Sequence, residues 1–213
     1  MKLRSVNVSL PKDVPYRDST LRTGIYKQPV TGRVRLNTLN LDGDGQADLN
    51  AHGGRDMAVY VYPFEHYAFW SQTLGRDDFT YGQFGENFTV EGLLEDAVYI
   101  GDIYRIGGTQ VQVTQGRIPC FKLAHKMQEP TFVKQFTHAE RTGFYVRVLQ
   151  PGEVGAGDTI ERVATGEGRM SVQEVFHLRI ADKANREAAA RAAQLPALSA
   201  TWRTYFEKAA DKT

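Results

Sequence analysis

The chain has 213 residues, one large domain or a medium one with an appendage, and 26 Lys plus Arg against 25 Asp plus Glu, a formal net charge of +1. That balance argues against a protein that coats nucleic acid, which needs a basic surplus to displace counterions; the hydrophobic share of 41% and charged share of 24% are those of a globular chain with a real core. The single cysteine excludes an internal disulfide, an iron–sulfur cluster or a multi-cysteine zinc site built by this chain alone. No apolar run in Met1–Asn7 suits a secretory signal, and no stretch approaches the ~18 apolar residues of a membrane span. The expectation is a cytoplasmic chain with neither a membrane nor a stable nucleic-acid partner, in a compartment where a thiol stays reduced.

In chain order, the first two-thirds read as β-rich. Val6, Val8 and Leu10 alternate with polar residues, as do Val34, Leu36 and Thr38. Met57–Tyr62 is dense in β-branched and aromatic residues. Val98–Ile100 runs through Gly101-Asp102 into Ile103–Ile106, and Gly107-Gly108 turns the chain into Val111–Thr114. Phe144–Leu149 is a further strand, followed by a turn at Pro151-Gly152. Short strands with glycine punctuation predict a barrel or sandwich. Two helices interrupt: one starting at Pro63, with Phe64, Tyr67, Trp70 or Ser71, and Leu74 on one face and a stop at Gly75, and one over Thr131–His138. Composition changes near residue 165. Ser171-x-x-Glu174 has capping-box spacing, and Asn185 and Ser199 are placed to cap two more helices. The prediction is a mostly β domain over 1–165 with a few peripheral helices, then a small three-helix module over 166–213.

Several constellations bear on chemistry. Arg117-Ile118-Pro119-Cys120-Phe121-Lys122 sets a thiol between cations, which favour thiolate, the form that binds soft metals or attacks electrophiles; the alternative is a buried apolar cysteine. Asp42–Asp48 imitates a calcium loop but carries Gln46, Ala47 and Gly53 where an EF-hand needs Asp or Asn, Gly and Glu, so it reads as a turn or a loop that shapes a site. His52-Gly53-Gly54-Arg55-Asp56 lets backbone approach an anion, or is an exposed tight turn. Asn87 in Gly85–Phe88 either reaches into a pocket or satisfies its turn. Lys27 beside Gly24 is a phosphate ligand or a solvated lysine. Arg147, inside an apolar strand, caps a rim or points into a polar pocket. The sequence contains no P-loop, His-Glu-x-x-His, Gly-x-Ser-x-Gly or dinucleotide fingerprint.

Taken in order, Leu41–Asp48, His52-Gly53-Gly54-x-Asp56-x-Ala58-Val59-Tyr60, Tyr62-Pro63-x-Glu65-His66-Tyr67-x-x-Trp70, Phe84–Leu93 and Val113-Thr114-Gln115-x-Arg117-x-Pro119-Cys120-x-Lys122-Leu123 resemble the MOSC domain family, and specifically its YiiM-type branch. The similarity runs from about Lys2 to Val163, with Met170 onward resembling the branch's three-helix module. The resemblance implies a MOSC β-barrel that binds molybdenum cofactor in its molybdopterin form, with Cys120 coordinating molybdenum. It implies reduction of N-hydroxylated compounds (hydroxylaminopurines, hydroxylamines, amidoximes), with a non-catalytic carrier of the cofactor or of sulfur as the alternative. Pyridoxal phosphate binding is a further property it admits. From motif position and chemistry, Lys27, Arg55, Arg117 and Arg147 would hold the cofactor phosphate, His52, Gly53 and Gly54 would contact the pterin or phosphate, and Asn87 would donate to an oxo ligand or the pterin. The expected partners are a small N-hydroxylated substrate and an electron-donating reductase on another chain; the protein itself would be a monomer or homodimer. Gly116 stands where the family commonly has proline, which predicts a looser approach to the cysteine loop.

Overall fold

The computed structural model describes residues 1–48 and 53–211. Its centre is β6 (Val59–Pro63), whose Val-Tyr-Val-Tyr run is buried on both faces. Such a strand needs partners on both edges, and it has them: β7 (Phe88–Glu91) lies parallel on one side and β10 (Phe144–Gln150) antiparallel on the other. The sheet continues through β9 (Thr109–Gly116), β8 (Ile103–Ile106) and β12 (Ile160–Ala164) at one end. At the other lie β1 (Lys2–Val8) and the two-residue β4 (Gln28–Pro29), giving eight strands in all. The two ends approach each other. Lys2 bridges Thr159, and the Gly157 amide donates to the Leu3 carbonyl at 2.7 Å. The sheet therefore curls towards a barrel, but closure rests on an isolated bridge instead of a strand ladder. Two small ribbons complete the β structure: β2 (Lys12–Tyr16) with β3 (Ser19–Thr23), and β5 (Arg33–Leu36) with β11 (Gly152–Gly155).

Three helices sit beside the sheet: α1 (Glu65–Leu74), α2 (Phe121–Met127) and α3 (Phe132–His138). They enclose an aromatic cluster of Tyr60, Tyr62, Tyr67, Trp70, Phe84, Phe132 and Phe136. The larger core lies inside the sheet and extends without a break into α4 (Val172–Ile180), α5 (Arg186–Ala193) and α6 (Ala200–Ala210). All three sequence-predicted caps form. Ser171 and Glu174 exchange both capping-box bonds, the Asn185 side chain accepts from the Ala188 amide, and Ser199 Oγ accepts from the Trp202 amide.

The structure departs from expectation in four places. Pro63 ends β6, aligned with Val90, and the helix begins two residues later; a strand end tolerates a residue without an N–H. Val98–Ile100 is not strand: the Ile100 amide is drawn to the Met170 carbonyl at 3.0 Å. Helix α2 and the β2–β3 hairpin have no counterpart in the sequence reading. Thr165–Gly168, linker-like in composition, is pinned, because Asp102 accepts from the Gly166 amide at 2.9 Å.

Candidate functional site

Strand β9 ends at Gly116 and hands the chain to Arg117, whose amide donates to the Gly143 carbonyl at 3.3 Å. Three residues later Cys120 adopts extended backbone (φ −123°, ψ 171°), and α2 starts behind it, with the Leu123 amide donating to the Cys120 carbonyl at 2.9 Å. The thiol side chain is half-buried. It sits on the wall of a half-open cavity with about 630 Å³ of empty space, open solvent at its mouth included. Arg117, Lys27, Lys122, Asn87, Tyr60, Tyr145 and Gly53 share that wall. Glycines bring the surrounding loops together. A Cβ on Gly24 would lie 2.4 Å from the Gly45 carbonyl oxygen, and Gly85, at φ +82°, abuts the Ile25 side chain.

Arg117 is the electrostatic centre. Its guanidinium is buried, donates to the Phe84 carbonyl at 2.6 Å, and stacks 4.3 Å over the Tyr60 ring. Burial opposes its charge, but the oxygens of Tyr60 and Tyr145 and the Cys120 sulfur more than offset that and hold it above the usual guanidinium range. A permanent cation therefore faces the thiol. Lys27 is pulled the other way: burial lowers it, only partly countered by Asp44, which accepts its ammonium at 2.5 Å. Lys126, on α2, donates to the carbonyls of Ile25 (3.0 Å) and Gly82 (2.5 Å) and so ties two loops to the cysteine helix. Burial brings it down to about 8, with Lys27, Arg117 and Lys12 adding to the effect against Glu86. Glu86 is itself fully buried and organises its own loop, accepting from the Tyr67 hydroxyl, the amides of Gly82 and Phe84, and Thr89. Lys27, Arg117, Lys122 and Lys126 stand against the two buried carboxylates Asp44 and Glu86, so this corner favours an anionic guest.

Of the sequence-predicted residues, Cys120, Lys27, Gly53, Asn87 and Arg117 meet at this one cavity. His52 lies outside the described residues. Gly54 and Arg55 are exposed at the start of a 3-10 helix (Arg55–Met57) and are not on the wall. Arg147 is corrected more firmly. Its guanidinium pairs with Asp56 at 2.9 Å and donates to the Ala197 carbonyl at 2.7 Å, so it fastens the sheet to the helical module away from the cavity. Asn87 lines the wall, yet both its amide protons are engaged, by the Asn7 carbonyl (3.2 Å) and Asp44 (2.9 Å), while its oxygen accepts from the Tyr60 amide. It has no donor left for a guest, and its work is to fix Asp44. The Asp42–Asp48 stretch shapes the site through the same Asp44, which also accepts from the Ser9 amide at 2.9 Å. Sequence reasoning missed Tyr145 and Lys126. Strand alternation carried the signal for Tyr145, which shares with Arg147 the face opposite Phe144, Val146 and Val148.

Comparison with known proteins places these features. Residues 48–161 match the MOSC domain model and residues 170–208 the YiiM-like, 3-alpha helix domain model. The chain is similar to the uncharacterized protein YflK of Bacillus subtilis, 43% identical over 98% of this chain and 94% of that protein. It is 32% identical, over 83% of its own length, to a Gibberella moniliformis protein named "Reductase", of which it spans 32%. The crystal structure of YiiM from Geobacillus stearothermophilus superposes with a TM-score of 0.84 at 38% identity, covering 98% of each chain.

Proposed function

Because the chain belongs to the MOSC domain family and carries the YiiM-like three-helix domain, we propose that it is a molybdenum-cofactor-dependent reductase of N-hydroxylated compounds, with Cys120 as the protein's ligand to molybdenum. The observation that carries this reading is that the only thiol and a permanently charged, buried guanidinium share one open cavity. The donor set fits such a cofactor. Among the described residues no group of three or more His, Cys, Asp or Glu could hold a metal by itself. A single thiolate is then the natural protein contribution to a thiophilic metal whose other sulfurs come from a dithiolene. The cofactor, when bound, supplies the two-electron redox chemistry.

The chain's own residues do the rest. Arg117 balances the negative charge gathered around the Cys120 sulfur, and Lys122, which makes no ion pair with a described residue, is available to a phosphate. Lys27 is held by Asp44 and contributes through its field. The reaction is R–NHOH + 2e⁻ + 2H⁺ → R–NH2 + H2O, with the electrons drawn from a reductase on another polypeptide. The relative named "Reductase" supports assigning the chain to redox chemistry.

Loading the protein with molybdenum cofactor and assaying hydroxylaminopurine reduction with a chemical reductant tests this. Replacing Cys120→Ala is expected to lower turnover at least ~100-fold and to release molybdenum, since groups merely behind a metal ligand already cost ~10–100-fold. Turnover of the variant equal to the parent's would refute the assignment. Bound cofactor with no turnover in the parent would make the protein a carrier instead.

A further inference from the structure

The hydrogen-bond donors around the cavity divide into those already engaged and those still available. Lys27 is engaged by Asp44, Asn87 by Asp44 and Asn7, and Lys126 by two backbone carbonyls. Tyr60 and Tyr145 are cross-strand neighbours on β6 and β10, on the same face, with ring centroids 5.3 Å apart. The Tyr60 hydroxyl donates to the Thr142 carbonyl at 2.7 Å, and its ring face is covered by Arg117. The Tyr145 hydroxyl has no hydrogen-bond partner among the described residues, although the residue lines the cavity together with Cys120 and Arg117. A phenol held at a cavity wall without an acceptor is matched to a guest that brings one.

We propose that Tyr145 is a specificity-determining residue: its hydroxyl is the neutral donor by which the cavity recognises the oxygen of an N–OH group. The assignment rests on the N–O reductase reading and goes beyond it by naming the group that tells substrate from product. Lys122 and Arg117 attract any anion, whereas a neutral, oriented O–H recognises an uncharged N-hydroxyl oxygen without favouring anions over it. A phenol carries its proton at neutral pH, so this one is a donor. The product amine lacks the acceptor oxygen and leaves Tyr145 unmatched, so the same hydroxyl favours product release.

Binding measured on cofactor-loaded protein without reductant tests the proposal, with 6-hydroxylaminopurine and adenine as the two probes. Tyr145→Phe is expected to weaken 6-hydroxylaminopurine ~2–12-fold, the loss of one hydrogen bond, and to leave adenine and the molybdenum content unchanged. In the parent labelled with 3-fluorotyrosine, one ¹⁹F resonance should move with 6-hydroxylaminopurine and stay in place with adenine; this measurement does not depend on the variant folding. Equal weakening of both probes, an unchanged preference, or no discriminating resonance overturns the assignment of Tyr145. A parent that turns over no hydroxylaminopurine with a chemical reductant defeats the reductase reading itself, and this proposal with it.

Discussion

Lys126 illustrates how a residue that looks solvated in the sequence becomes part of a site. Its ammonium reaches the carbonyls of Ile25 and Gly82, and burial lowers it to about 8, against an ordinary lysine value of 10.5. The sign follows from which state binds the proton. Below about pH 8 both the folded and unfolded chains carry the charge, and the folded one bears its desolvation cost in full. Between about 8 and 10.5 the folded chain releases a proton that the unfolded chain keeps, so stability from this group rises with pH across that window. Urea unfolding of the parent and of Lys126→Met at pH 7.5 and pH 9.5 checks this: the parent should gain about 1–2 kcal/mol relative to the variant at the higher pH. A difference that is flat or falls would show that the carbonyl bonds dominate. At this scale the sequence marked Arg117 and Cys120 correctly as neighbours because they are three apart in one loop. It could not show that Asn87 was fully engaged, because its partners Asn7 and Asp44 lie 80 and 43 residues away.

Among the elements, β9 and the loop behind it join the cavity to the helical module. Gly116 pairs with Phe144 in the sheet, and a Cβ there would stand 3.2 Å from Phe176 on α4 and 3.5 Å from Trp202 on α6. The glycine therefore does not loosen the cysteine loop, as its sequence context suggests; it lets two helices press against the strand end that delivers Arg117. Gly116→Val is expected to cost ~1–3 kcal/mol of overpacking, read by urea unfolding, and, on the proposed function, to lower molybdenum retention by shifting Arg117. Unchanged stability would mean that Phe176 and Trp202 give way freely. Elements with end signals were legible: the caps at Ser171, Asn185 and Ser199 are local hydrogen bonds encoded within four residues. Helix α2 was not, because it is seven residues long, begins behind a cysteine with no side-chain cap, and shows only Leu123 and Met127 as a buried pair.

Over the whole molecule, the helical module is continuous with the sheet's core, and contacts at their junction also constrain the site. Asp56, at the 3-10 helix beside the cavity loop, takes Arg147 and lies 3.4 Å from the Ala200 amide at the start of α6. The Ser199 amide donates to the Thr114 carbonyl of β9 at 3.3 Å. Trp202 is almost fully buried, with Arg179 stacked 5.0 Å from its ring. Trp202→Ala is expected to cost ~3–5 kcal/mol and, where the module braces β9, to reduce molybdenum retention on the proposed function as well. A destabilised variant that still retains its full molybdenum content would separate the module from the site.

By itself the sequence determined the β-rich class, a C-terminal three-helix module with its three caps, and the pairing of one thiol with one guanidinium in one loop. Each of these is carried by residues near one another in the chain, where periodicity and spacing act directly. Only the tertiary structure decided which polar groups face the cavity. Arg147 is turned to Asp56 and Ala197, Tyr145 two residues before it on the same strand has a hydroxyl with no hydrogen-bond partner among the described residues, and Asp44 joins Lys27 to Asn87. A side chain's partner is chosen by burial and by what distant segments place within hydrogen-bond reach, and neither is a property of the residue or of its neighbours in sequence.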